Sequence, residues 1–411
     1  MKRTILILSF LFSLLSIYSQ VISNDTHVEI AKPAGLDKIF IFAGINSSTE
    51  IKYSGAAVNV KWFKFADGIR TEISNVPYIS PENNTGYICS ADGTETSFWV
   101  FDYTLYYVST ASNLTIVDGD FPCEEVKLNI NPAIPEFNYQ NPTGRKLTLD
   151  RTFNVKYNSL EWKENEWTSS LQTEIVSFPA FETKISVPLT DTPFILSGDE
   201  FASTLGLQPV QISSQVYTTK AVKCHLTTIT TKRDALNEND RPVSETQLDG
   251  SAPLDVQFLS NPTSNVKNYL WKIFKNGTLL LTRTVKDHIF TFNESGNYKV
   301  TLEVSNQFCS DSASVNFVIS ESQIMAPSIF TPNGDDVNDE FRVAYRSIIQ
   351  FQGTIINRWG RTLFSWTDPA KGWDGTINGK PAAEGTYFYI ITAKGSDEKT
   401  YKLKGHINLL R

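Results

Sequence analysis

Along most of its length the chain is a succession of short runs in which apolar and polar residues alternate, cut by Gly, Asn, Asp or Pro. Tyr298, Val300, Leu302 and Val304 alternate in one run, and Tyr387, Tyr389, Ile391 and Ala393 in another. A period of two places every second side chain on one face of a strand, whereas an amphipathic helix needs apolar residues three and four apart. No long stretch has that helical spacing. The abundance of Phe and Tyr, with only 2 Met, suits pleated surfaces. The pattern predicts an all-β chain, and 411 residues leave room for about two to four domains.

Met1-Lys2-Arg3 is followed by an almost wholly apolar stretch from Ile5 to Ile17 and by Ser19-Gln20. That layout predicts a secretory signal peptide over 1–19, too short to span a bilayer comfortably. No cysteine stands at the expected cleavage point, and no later segment is apolar enough to cross a membrane, so no membrane span is expected once the signal is removed. From Met325 onward there are 11 Lys/Arg against 9 Asp/Glu, while the rest of the chain carries 26 against 35. An acidic body with a mildly basic tail lacks the clustered basic residues of a nucleic-acid binder. Four cysteines, Cys89, Cys123, Cys224 and Cys309, allow disulfides in an exported protein. Cys89 with Cys123 is the expected pair, because both lie in the first folded region. Whether Cys224 and Cys309 pair stays open, since they straddle a domain boundary.

Domain limits follow the breaks in pattern. A first β-domain is expected over 20–138, with its longest strand running from Phe98 to Tyr107. Trp99, Phe101, Tyr103, Leu105 and Tyr107 share one face of that strand, either as core or as a platform on which a sugar could stack. Two prolines, Pro132 and Pro135, precede a second β-domain and linker over 139–246, which includes Trp162, Trp167 and a long strand from Val210 to about Thr231. The charged segment from Lys232 to Pro242 reads as the linker.

Residues 247–320 carry Leu254, Val256 and Phe258 in alternation, then Tyr269-Leu270-Trp271, then Ser295-Gly296-Asn297-Tyr298 before the strongest strand. These runs resemble a PKD-like module, an immunoglobulin-like sandwich, which implies Trp271 as the central core residue, Gly296 as a tight turn and Tyr298 as a strand residue behind it. The segment 325–411 holds Phe330-Thr331-Pro332-Asn333-Gly334-Asp335-Asp336-Val337-Asn338-Asp339, then Asn357-Arg358-Trp359-Gly360, then Gly372-Trp373-Asp374-Gly375, then Gly385-Thr386-Tyr387. In order and spacing this series resembles the type B (gliding motility-associated) C-terminal sorting domain of type IX secretion cargo. Trp359, Trp366 and Trp373 are expected to fill its core. The resemblance implies export through the periplasm to the outer cell surface or the medium, with the translocon or another outer-membrane component as partner. A late hairpin bearing Lys399, Lys402, Lys404 and Arg411 is the expected face for that recognition. Independently of any family, carboxylates and amides around Gly334 suit calcium, with Asn333, Asp335 and Asp339 as candidate ligands, or else an array of Asx turns.

No nucleophile elbow, HExxH, phosphate loop, dinucleotide fingerprint or CxxC pair is present. Asp102 and the Glu124-Glu125 pair could serve a glycosidase only if they converged. The expectation is therefore an all-β exported protein of tandem β-sandwiches, immunoglobulin-like and PKD-like, ending in a β-sandwich sorting domain. Catalytic residues are expected to be none, cofactors none unless calcium, and the role structural, adhesive or binding. A glycan-binding module or a hydrolase sited within 21–231 is the alternative.

Overall fold

The computed structural model describes residues 20–107, 113–119, 121–131, 134–178 and 183–411. The expected signal peptide at 1–19 lies outside the described residues. Strands dominate, as the alternation requires, and they form four successive sandwich units.

The first unit has a six-stranded sheet in the order His27–Ala31, Lys38–Phe42, Thr94–Asp102, Thr85–Ala91, Val60–Ala66, Ile69–Ser74. Lys38–Phe42 runs parallel to Thr94–Asp102 and is buried at every residue. Its two faces go to two different cores. Phe40, Phe42, Phe98, Val100, Trp62 and Tyr87 pack beneath a small sheet that supplies Val21, Ile51 and Ile79. Ile39, Ile41, Trp99 and Phe101 pack under Phe137 and Tyr139 and under Phe201, Ala202 and Leu205. The central strands are apolar on both sides because both sides are covered.

The second unit pairs a sheet of Asn113–Asp118, Glu125–Asn131 and Thr183–Ser186 with one of Glu166–Phe178, Arg151–Lys163, Ile195–Gly198 and Val210–Ser213. Leu114, Val126 and Leu128 share its core with Phe153, Val155 and Tyr157. A division between 138 and 139 therefore does not follow the sheets. Strands 113–118 and 125–131 already belong to the second sandwich, while the hairpin of Phe137–Gln140 and Lys146–Leu149 packs back on the first. A buried ion pair at the edge of the second unit faces the first: Arg151 Nε lies 2.6 Å from Asp199 Oδ2, with their side chains 2% and 0% exposed. Asp199 also accepts from the Tyr103 hydroxyl at 2.5 Å and caps the helix Glu200–Thr204. Its lone pairs are thus satisfied, as a buried carboxylate requires.

The long strand expected from Val210 to Thr231 is broken. Only Val210–Ser213 and Thr227–Thr230 are strands, and the latter already joins the third unit. Here Val216 is 62% exposed, so no continuous apolar face exists to bury. The third unit packs Thr227–Thr230, Leu254–Leu259 and His288–Phe292 against Thr278–Arg283, Asn268–Lys275, Gly296–Ser305 and Ser310–Ile319. Trp271 is fully enclosed, with its indole N–H donating to the Val285 carbonyl at 3.0 Å. Gly296 has φ +148°, and a Cβ there would approach Lys275 and Asn276 to 3.1–3.2 Å, so glycine is required at this turn.

The fourth unit is a five-stranded sheet, Ile329–Phe330, Thr400–Leu409, Gly385–Gly395, Ile348–Ile356 and Thr362–Trp366, with its first pair parallel. The segment expected to be a linker is instead a packed seam between the third and fourth units. Arg233 grips Glu238, whose side chain is 4% exposed, and Ser251. Asn237 donates to the carbonyls of Val343 and Pro369 at 2.7 and 2.8 Å, and the Asn239 N–H donates to the Tyr345 carbonyl at 2.7 Å. A charge-dense sequence reads as solvated, but here its charges and amides pair with one another and with the neighbouring sandwich.

Candidate functional site

The motifs of the last unit map onto turns and one core plug. Trp373 is fully buried against Phe330 and Tyr387, with ring centroids 5.4 and 5.1 Å away, and its indole N–H donates to the Thr376 carbonyl at 2.7 Å. Asp374 Oδ1 accepts from the Thr376 N–H and hydroxyl at 2.9 and 2.8 Å, closing the turn. Gly375 has φ +73°, and a Cβ there would stand 3.0 Å from Leu409 and 3.1 Å from Pro332. Asn357 Oδ1 accepts from the N–H groups of Trp359 and Arg361, shaping the hairpin between 356 and 362. Gly360 sits at φ +81° and Gly385 at φ +143° in turns of their own.

Trp359 does not join the core. It is 75% exposed, with the Arg358 guanidinium 4.2 Å over its ring. Its place at a two-strand turn points it outward, whereas Trp366 and Trp373 face inward among Phe341 and Phe330.

The acidic loop is closed by its own backbone. Asp339 accepts from the N–H groups of Gly334 and Asp336 at 2.8 Å each. Asp335 accepts from the Val337 N–H at 2.9 Å and from the Asn333 amide at 3.0 Å, and Asn333 Oδ1 accepts from the Asp335 N–H. The Thr331 N–H donates to the Asn338 carbonyl across the loop base. These bonds hold the Asp335 carboxyl below its usual range, the Asn333 amide contributing most. The arrangement is an Asx-turn array in which any cation would compete with amides for the same oxygens. Among the described residues, no group of three or more His, Cys, Asp or Glu is placed to hold a metal.

Of the four basic residues on the closing hairpin, two are engaged within the chain. Lys399 meets Glu321 at 2.8 Å and Asp397 at 3.0 Å, which raises its pKa. Arg411 donates to the carbonyls of Ala382 and Gly375. Lys402 and Lys404 stay exposed on the outer sheet face, opposite Thr392 and Ile390 in the ladder. Phe388 and Ile390, 39% and 49% exposed, share that face with His406.

The other candidates disperse. The disulfide is Cys123–Cys309, and Cys89 and Cys224 are free and buried. Cys89 cannot reach Cys123, because it lies opposite Trp62 inside the first sandwich while Cys123 belongs to the second. Burial pushes both free thiols up to about 12, with Asp311 adding to the effect at Cys224. Of the proposed aromatic platform, Trp99, Phe101 and Tyr103 are core, and the strand gives way to a 3-10 turn at Tyr103–Leu105, which leaves Leu105 64% exposed. Trp162 and Trp167 close on each other and on His225, with centroids 4.7–5.3 Å apart, and the Trp167 indole N–H donates to the Asn261 carbonyl. They form a contact between the second and third units, which no pattern of the hairpin alone could reveal. Asp102 accepts from the N–H groups of Ile45 and Thr104, whereas Glu124 and Glu125 lie in the second sandwich, with Glu125 paired to Lys184. The three carboxylates do not converge.

Comparison with known families agrees with this architecture. Residues 115–214 match the fibronectin type III domain, 244–319 the PKD domain and 324–409 the CHU_C type IX secretion signal domain. No curated protein sequence matches the chain. Among solved structures, one described as the structural basis for Dscam isoform specificity is 11% identical, covering 94% of this chain and 100% of its own at a TM-score of 0.21. Elastase-activated alpha-2-macroglobulin from Escherichia coli is 9% identical, covering 94% and 44% at 0.18. Dimeric latent PorU from Porphyromonas gingivalis is 9% identical, covering 85% and 41% at 0.17. At such TM-scores the likeness assigns neither fold nor function. The family matches do assign domains: the chain carries a fibronectin type III domain, a PKD domain and, at its C-terminal end, a type IX secretion signal domain, which implies export out of the cell.

Proposed function

We propose that the chain is a non-enzymatic protein of the cell surface or medium, whose stacked sandwiches hold an N-terminal structural, adhesive or binding region away from its point of attachment. Fibronectin type III and PKD domains are non-catalytic kinds of domain, and the carboxylates that a hydrolase would need lie apart. The translocon reads the last unit as a folded object, through the outer sheet face on which Lys402 and Lys404 line the strand beside Phe388 and Ile390. An exposed apolar pair beside lysines suits a partner surface of apolar and acidic residues.

The observation that carries this reading is the match of 324–409 to a secretion signal domain that also has its own enclosed core around Trp373. Deleting Ile324 to Arg411 tests it. In fractionated cells and medium the truncated body should accumulate in the periplasm. Its normal appearance outside the cell would sink the proposal.

A further inference from the structure

The open edges of the sheets are not alike. Glu166–Phe178 ends its sheet and pairs with Arg151–Lys163 in unbroken register from Lys163↔Glu166 to Arg151↔Phe178. Three other edge strands, Ile69–Ser74, Thr278–Arg283 and Thr362–Trp366, each lie beside a register shift, at Trp62/Phe63, Ile273/Phe274 and Ile355/Ile356. A fourth, Ser310–Ile319, is straight but covered at one end, where Gly250 bridges Ile319 and Asp249 accepts from the Val318 N–H. Bulges, lysines, prolines and covering loops are the devices that stop an edge from recruiting another strand. Glu166–Phe178 has no bulge, no lysine and no proline. Among the described residues, the backbone of 168–177 has no hydrogen-bond partner beyond its ladder with 151–163. Its outward side chains include Leu171, 64% exposed, and Ile175, 73% exposed.

We propose that this edge pairs antiparallel with the same strand of a second copy, about a two-fold axis through Thr173. Residues directly opposite one another in a sheet share a face, so only registers that pair odd positions with odd are allowed. With the axis at Thr173, Leu171 of each copy faces Ile175 of the other, Ser169 faces Ser177, and the two Thr173 side chains meet. The one charged residue of this window, Glu174, faces Gln172. Moving the axis to Glu174 sets the two Glu174 carboxylates opposite each other and turns Leu171 onto Ser177. Moving it to Gln172 sets Leu171 against Thr173 and Ile175 against Ser169. Of these three registers only the one at Thr173 sets Leu171 against Ile175 in both copies without opposing like charges. That self-complementarity selects a second copy over a foreign strand as the occupant. Pairing would double the N-terminal units presented at one place, independently of how the protein is exported.

Sedimentation of the purified chain across the micromolar range should show a reversible dimer. The double variant Leu171→Lys, Ile175→Lys places lysine opposite lysine and should raise the dissociation constant at least about tenfold. Its monomer should unfold at the same temperature, because both side chains are solvent-exposed. On the axis, facing Cβ atoms would stand about 5 Å apart, so Thr173→Cys should yield a reductant-sensitive dimer on mild oxidation. Ser169→Cys, which faces Ser177, should not. A chain that stays monomeric, a dimer indifferent to the two lysines, equal cross-linking at both cysteine positions, or an edge filled instead by another protein's strand would each overturn the proposal.

Discussion

The two junctions that flank the PKD domain are built from opposite chemistry. On its N-terminal side the clamp is covalent: Cys123–Cys309 bridges two units, aided by Lys220 with Asp118 and by Asp311 with Lys223 and the Cys224 N–H. On its C-terminal side the seam is non-covalent and interior: Glu238 is buried between Arg233 and Ser251, and Ser347 accepts from the Ala252 N–H while donating to the Ser320 carbonyl. The first depends on an oxidising compartment to form at all. The second forms wherever the chain folds. The secretion signal is therefore attached by contacts that need no oxidation, while the covalent lock between the second and third units forms only after the chain leaves the cytoplasm.

The largest expected effect breaks the covalent clamp. The bridge closes a loop with a sequence separation of 186. On the chain-entropy view, Cys123→Ser with Cys309→Ser should destabilise the bridged units by up to about 5 kcal/mol. Denaturant unfolding followed by domain-specific fluorescence should show the sorting unit unaffected. Thiol labelling of the native protein should find no reactive cysteine, and reduction should make the partly exposed Cys123 reactive while Cys89 and Cys224 stay silent, because burial pushes their thiols up to about 12. Labelling of Cys123 in native protein would contradict the pairing.

A smaller effect should break the seam. Glu238→Ala leaves Arg233, 25% exposed, without its carboxylate. Removing one partner of such a pair costs about 3 kcal/mol when the site is enclosed. Limited proteolysis should then cut faster within 232–242, which Asn237 and Asn239 hold against the last unit, while the sheets on either side stay intact. If Glu238→Ala leaves that segment resistant, the seam is not what holds the last two units together.

What the sequence made legible divides along the same line. Turn chemistry and alternation are local, so Asn357, Asp374 and Gly375 advertise their turns, and the series from Phe330 to Tyr387 was enough to name the secretion signal that the family match finds. Contacts between units are not local. Nothing around Cys123 announces Cys309, and nothing in Lys232 to Pro242 announces that Asn237 will reach Val343 and Pro369. Trp359 shows the same limit at short range. A tryptophan in a small sandwich reads as core, yet the turn made by Asn357 and Gly360 swings it into solvent, where Arg358 covers one face. The shift at 138/139 arises because pairing partners decide a strand's sheet: Glu125–Asn131 pairs with Asn113–Asp118, and Phe137–Gln140 with Lys146–Leu149.

The smallest effect shows only in alkali and separates the junctions by titration. Tyr345 lies in the seam, exchanging backbone bonds with Asn237 and Asn239. Burial first, then the nearby Glu238 and Asp368 carboxylates, pushes its hydroxyl from the usual value of 10.0 to about 12. A raised tyrosine pKa means that the folded state favours the neutral phenol. That contribution is complete below pH 10.0 and is lost as the pH climbs toward about 12. Brief cleavage by an alkali-tolerant protease should therefore begin to open 232–242 in this window, and Tyr345→Phe, which cannot ionise, should delay the onset. The disulfide does not titrate, so the N-terminal clamp should hold through the same range. Simultaneous loosening of both junctions, unchanged by Tyr345→Phe, would show that the alkaline transition belongs to the sandwiches themselves and not to the seam.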